Sequence, residues 1–312
     1  MFVRRNFMAN RPQKILFSGA SGLIGANLVR SLAAKRIQTL QLVRKAIDGP
    51  KSGEVVWDPA AERPVADVGE LEGMDAAIHL SGANLTAHRW TESYKREIVN
   101  SRVGTTRALT RIFGAMKQPP KSLLCASGIG IYGDRGDELL SEAAIPGRGF
   151  LADTCAAWEA AADTAKEVGA RVVQLRFGLV LTAEGGALKQ MLPVFRLGVG
   201  GRLGSGRQWM SWISLPDMVR AILHILEVQT LAGPVNLAAP NPVTNAEFTR
   251  SLGRAVNRPA VLPAPAFALR LAFGETADEA LLASARLVPE RLLQSGFRFE
   301  HPDIAAALRA VL

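Results

Sequence analysis

Residues Lys14 to Gly25, KILFSGASGLIG, join a short apolar run to three glycines spaced three apart, Gly19, Gly22 and Gly25. Ile15, Leu16 and Phe17 supply a strand, and Ala26 to Leu32 continue at helical period. A glycine triplet alone arises by chance. One bounded by a strand and an apolar helix reads as a phosphate-binding turn, because the helix start aims unpaired N–H groups at a pyrophosphate. The segment predicts dinucleotide binding, with Gly19, Ser21, Gly22, Leu23, Ile24 and Gly25 as its contacts.

The rest of the chain repeats the strand-helix alternation. Strands are expected at Thr39 to Val43, Val55 to Trp57, Ala76 to Leu80, Ser122 to Ala126, Arg171 to Arg176 and Val235 to Ala238. Helices are expected over Tyr94 to Phe113, Leu151 to Val168 and Pro216 to Glu227, with Asp217 capping the last of them. Such alternation implies a doubly wound parallel α/β sheet of Rossmann type, with ligands outside the carboxyl ends of its strands. The polar turn Ser81 to Asn84 falls at that edge. The expected organisation is a frayed segment 1–12, a nucleotide-binding domain 13–240 and a small, mostly helical C-terminal lobe 241–312. Within the large domain, a glycine-rich loop near 198–213 either lies over the site to hold a ligand or is a surface loop pinned by its tryptophans.

Composition narrows the function. The formal net charge is +9, but Lys and Arg are scattered from Arg4 to Arg309 without a dense run, so no nucleic-acid partner is expected. Cys125, Cys155 and the four histidines match no metal-ligand spacing, and no metal is expected. A lone cysteine such as Cys155 reads as a small buried hydrophobe. No apolar run approaches membrane-spanning length and the basic start lacks a signal-like stretch, so a cytoplasmic protein with no membrane partner is expected.

Dinucleotide folds that take the unphosphorylated cofactor carry a carboxylate near the end of the second strand. Here that place reads Leu42-Val43-Arg44-Lys45. A guanidinium holds a 2′-phosphate that a carboxylate would repel, so Arg44 predicts NADP.

With these motifs in hand, the chain resembles the extended short-chain dehydrogenase/reductase superfamily and, within it, the atypical YfcH-type epimerase-family branch. The resemblance covers nearly the whole length. It is carried by GASGLIG at 19–25, LVRK at 42–45, HLSGANL at 79–85, RWTESYKREIVNSR at 89–102, RFGLVL at 176–181 and MLPVFRLGVGGRLGSGRQWMSWI at 191–213. It implies cofactor contacts at Leu80, Ser81 and Gly82, at Glu97 and Arg102 on the following helix, and at Arg176 and Val180 beside the nicotinamide. It also implies that the glycine-rich loop helps to hold a nucleotide sugar.

Active members of that superfamily use a tyrosine, a lysine four residues later and a serine. Counting back from Glu159 places Leu151 at the tyrosine position and Cys155 at the lysine position, neither able to do that chemistry. Gly128 takes the usual serine place, and Ser101 stands where asparagine is common. Ser127 and Tyr132 are the nearest candidates for a replacement catalytic pair. The expected protein is an NADP-binding oxidoreductase or epimerase-like enzyme of a small carbonyl or nucleotide-sugar substrate, with a non-catalytic NADPH sensor or scaffold as the alternative. Helices 94–113 and 151–168 either pair two copies into a homo-oligomer or pack internally.

Overall fold

The computed structural model describes residues 12–44 and 49–312. The segment 1–12 expected to fray lies outside the described residues except for Pro12, as does Lys45. Seven strands form one parallel sheet: β1 (Lys14–Ser18), β2 (Gln38–Val43), β3 (Glu54–Val56), β4 (Ala76–His79), β5 (Ser122–Gly128), β6 (Arg171–Phe177) and β7 (Gly233–Leu237). Their spatial order is β7-β6-β5-β4-β1-β2-β3, with every pairing parallel.

The helices are α1 (Leu23–Ala34), α2 (Glu92–Val99), α3 (Thr105–Ala115), α4 (Phe150–Asp163), α5 (Gly186–Arg196), α6 (Leu215–Glu227), α7 (Asn245–Ala255), α8 (Ala266–Phe273), α9 (Glu290–Gln294) and α10 (Ile304–Val311). The two-residue period of β1 sends Ile15 and Phe17 into one core with Leu28 and Leu32 of α1 and Met218 and Ile222 of α6. Leu16 faces the other core, with Leu109 and Phe113 of α3 and Trp158 of α4. Burial on both faces explains why these strands read as continuous apolar runs.

The helix expected over 94–113 begins at Glu92, capped by the Thr91 hydroxyl, and is divided by a π turn over Asn100–Gly104. The helix expected over 151–168 ends as α-helix at Asp163 and finishes in a 3₁₀ turn. Ser214, not Asp217, caps α6: its hydroxyl accepts the Asp217 amide at 3.2 Å. The buried Asp217 carboxylate accepts the Glu300 and His301 amides, both at 2.9 Å, and a guanidinium hydrogen bond from Arg220 at 2.6 Å. That carboxylate ties the C-terminal tail to the large domain.

The glycine-rich stretch is woven into the second lobe. Trp209–Met210 pairs antiparallel with Val243–Thr244, Trp212–Ser214 pairs parallel with Leu179–Leu181, and Leu203 bridges to Ala264. Trp212 is fully buried among Leu188, Leu192, Phe248 and Leu308. The lobe core therefore draws on residues from both sides of position 240.

Candidate functional site

The turn after β1 shows why glycine is needed at two of its three positions. Gly19 has φ +82°, and a Cβ there would stand 2.7 Å from the Leu80 carbonyl carbon. A Cβ on Gly25 would meet the Gly19 carbonyl oxygen at 2.1 Å, so α1 rests directly on the turn. Gly22 precedes α1 with extended backbone and meets nothing closer than 3.4 Å. It offers no side chain to cap the helix, and the first turn carries no carboxylate, so the N–H groups at the start of α1 keep their positive end for an anion.

A cleft of about 1170 Å³ opens along the carboxyl edge of the sheet. Gly19, Ser21 and Gly22 line its middle, Arg44 and Trp57 one end, and Leu80, Ser81, Gly82 and Glu97 its far wall. The π turn also faces it through Asn100, Ser101 and Gly104. Single π turns inside helices are frequent at functional sites. Leu23, Ile24 and Gly25 sit one step back, in α1. Arg102 braces the wall: it donates to the carbonyls of Ala83 at 2.9 Å and Ile98 at 3.1 Å and stacks over Trp158 at 5.3 Å.

Beneath Ser81 runs a polar chain that the sequence reading missed. The Ser18 and Ser81 hydroxyls are 2.9 Å apart, Ser18 bonds His79 Nδ1, and His79 Nε2 lies 3.3 Å from Thr105 Oγ1. Thr105 donates to the Ser101 carbonyl at 2.8 Å, so Nε2 carries the imidazole proton and Nδ1 accepts from Ser18. Full burial pushes the His79 pKa down from 6.5 to about 4. A depressed histidine contributes stability that is present above 6.5 and lost as the pH falls towards 4. Between pH 7 and about 4.5, urea unfolding should show the native protein losing about 2.5 kcal/mol more than His79→Gln. Equal losses would mean that His79 is not held neutral.

Other expected site residues fall elsewhere. Ser127, Tyr132 and Arg176 do not line the cleft; they form a buried network with Glu159 and Asn236. Arg176 meets Glu159 through two hydrogen bonds of 2.8 and 2.9 Å, and Ser127 donates to the same carboxylate at 2.7 Å. Tyr132, fully buried, donates to Asn236 Oδ1 at 2.7 Å and accepts from Arg176 at 2.8 Å. Burial opposes the Arg176 charge, but Glu159 overrides it and holds the guanidinium protonated well above its usual range. Burial likewise pushes the Tyr132 phenol up, with Arg176 opposing it. The expected pairing of Ser127 and Tyr132 on a substrate carbonyl is corrected accordingly: both hydroxyls are committed to buried partners. Val180 pairs with Ile213 in the short parallel ladder and does not line the cleft either.

Leu151 and Cys155 are buried, and burial raises the Cys155 thiol to about 11, far from a thiolate. Leu151 packs with Trp90, Tyr94 and Ile98. Tyr94 of α2 shares that apolar cluster with Leu151, and it lines the cleft. Its hydroxyl donates to the Asn84 carbonyl, and the His88 ring meets it edge-on at 5.1 Å. Burial, then Glu97, raises its pKa, with Arg102 opposing. On the C-terminal side, the Glu279 carboxylate accepts the Phe150 and Leu151 amides at 3.1 Å each, closing the start of α4.

A parallel sheet whose strand order reverses at β1, with a glycine turn beneath an open cleft at its carboxyl edge, defines a Rossmann-type nucleotide-binding protein. Residues 15–238 match the NAD dependent epimerase/dehydratase family, and residues 264–311 match a domain of unknown function, DUF1731. The chain belongs to the NAD dependent epimerase/dehydratase family. It is similar to the epimerase family protein Mb2239 of Mycobacterium bovis, 44% identical over 294 residues that cover 94% of this chain and 96% of that protein. The crystal structure of the human epimerase family protein SDR39U1 with NADPH matches at TM-score 0.85 and 32% identity, over 96% of this chain and 98% of that one. A nucleoside-diphosphate sugar epimerase from Corynebacterium glutamicum matches at TM-score 0.78 and 32% identity, over 99% of this chain and 60% of that one.

Proposed function

We propose that the chain binds NADPH in the cleft and reduces a small carbonyl compound, with Tyr94 replacing the missing proton relay. The observation that carries the reading is that Tyr94 lines the cleft while belonging to the same buried cluster as Leu151. The turn Gly19 to Gly22 and the start of α1 would hold the pyrophosphate, and Arg44, exposed at the end of β2, the 2′-phosphate. The similarity to a human protein crystallised with NADPH supports the same cofactor.

When bound, the reduced nicotinamide supplies a hydride to the carbonyl carbon. Tyr94 gives the carbonyl oxygen the proton that it otherwise shares with Asn84, completing the alcohol. A phenol raised above its usual range is protonated at neutral pH and so has a proton to donate. Sugar-nucleotide chemistry is less well supported: in the glycine-rich loop, Gln208 is tied to the Leu203 and Leu281 carbonyls and Trp209 to Asp137.

The test is NADPH oxidation with a panel of small aldehydes and ketones. Tyr94→Phe should leave the NADPH dissociation constant within about twofold and lower kcat by roughly 10²- to 10⁴-fold. An unchanged kcat removes Tyr94 from the chemistry. Wild-type protein that binds NADPH and reduces nothing favours a non-catalytic sensor. Arg44→Ala should weaken NADPH by roughly 10- to 100-fold and leave NADH unchanged, on the strength of one charge-assisted pair; equal affinities for both cofactors in both proteins would remove the NADP preference.

A further inference from the structure

Two surface segments of the second lobe, 196–204 and 257–266, run side by side. Arg258 donates to the Arg196 carbonyl at 3.1 Å, the Leu262 amide to the Gly200 carbonyl at 3.2 Å, and Leu203 bridges to Ala264. The pairing gathers large apolar side chains that the fold leaves in water: Leu197 is 77% and Val261 74% exposed, and Val199 and Leu262 about half. Val261 forms one wall of a shallow pocket that also carries Arg250, Arg254 and Arg258. Among the described residues, no carboxylate lies within ion-pair distance of these three or of Arg196. Immediately after, α8 carries Phe267 and Leu271, four apart on one helical face and 73% and 77% exposed.

Clustered apolar side chains on a surface mark a contact with something. Here they protrude from two loops and from the exposed face of α8, and arginines without a carboxylate partner among the described residues flank them. A second copy of the chain, meeting this face about a two-fold axis, would bring both sets of arginines into one interface, where segments 196–204 and 257–266 carry no carboxylate to meet them. A layer that is anionic outside and apolar beneath matches both features. We infer that this face docks on anionic phospholipid headgroups, with the arginines at the phosphates and Leu197 and Val261 entering the acyl boundary. The attachment is peripheral, since no helix among the described residues is long and apolar enough to cross a membrane. Composition gave no sign of it because Arg196 and Arg258 lie 62 positions apart.

Co-sedimentation of the full chain with vesicles tests the inference. Vesicles of phosphatidylcholine with about one-third phosphatidylglycerol should bind it at least tenfold more tightly than pure phosphatidylcholine, and raising salt from about 0.1 to 0.5 M should release it. The double variants Leu197→Glu/Val261→Glu and Arg254→Glu/Arg258→Glu should each lose about tenfold or more while melting within a few degrees of wild type, because the side chains are exposed. Absence of binding, equal binding to neutral vesicles, or binding unchanged in both variants overturns the inference. So does a dimer in sedimentation equilibrium that the same substitutions dissociate, which would assign the face to a second copy.

Discussion

Gly25→Ala should abolish measurable NADPH binding, a loss of at least about 100-fold, and lower the melting temperature by several degrees. The added Cβ would stand 2.1 Å from the Gly19 carbonyl oxygen, an atom of the backbone that no rotamer change can move aside. Either α1 lifts away from β1, uncovering Leu28 and Leu32, or the turn shifts and its N–H groups lose the phosphate. Gly22→Ala separates the two effects. Its nearest neighbour is 3.4 Å away, so the fold should melt within about a degree of wild type, while a methyl group now occupies the cleft where a phosphate must come close. Calorimetric titration with NADPH and a thermal melt of each variant read both quantities. A Gly25→Ala protein that binds NADPH normally would contradict the assignment of this turn to the cofactor.

Glu159→Gln should destabilise the protein by about 3–5 kcal/mol, because it leaves the Arg176 guanidinium buried without its counter-charge. For a chain of this length the melting temperature should fall by roughly 10 °C. Arg176→Met with Glu159→Leu should recover much of the loss, since removing both charges also removes the cost of burying them. NADPH affinity should change by less than about threefold throughout, as neither residue lines the cleft. An Arg176→Met protein of unchanged stability but weakened NADPH binding would restore the reading in which Arg176 lies beside the nicotinamide.

That pair also marks the boundary of what the chain discloses before it folds. The doubly wound sheet was legible because its strands are short apolar runs separated by helical stretches, and the glycine turn because its chemistry is local: three residues, one strand and one helix. Arg176 was misplaced because a strand sends alternate residues to opposite faces, and spacing alone does not say which face meets Glu159 on α4, 17 positions earlier. Tyr132 sits in a 3₁₀ turn, and its partner Asn236 lies 104 positions away on β7, a pairing that local sequence does not disclose. The glycine-rich stretch suggested an open loop, but Trp212 between Ser211 and Ile213 was a sign that part of it enters the core. Tyr94 stood inside a recognised motif and was passed over, because nothing in the sequence says that α2 packs on Leu151. The signal that could have found His79 and its hydroxyl neighbours was the apolar strand AAIHL, where a histidine amid buried positions must find partners.

Crystals soaked with NADPH provide the most direct test of the proposed function. Density should run along the carboxyl edge of the sheet, with the pyrophosphate over Gly22 and the start of α1, the 2′-phosphate beside Arg44 and the nicotinamide on the Tyr94 side of the cleft. A cofactor seated elsewhere, or a nicotinamide facing only apolar side chains such as Leu151 with Tyr94 turned away, would contradict the reductase assignment.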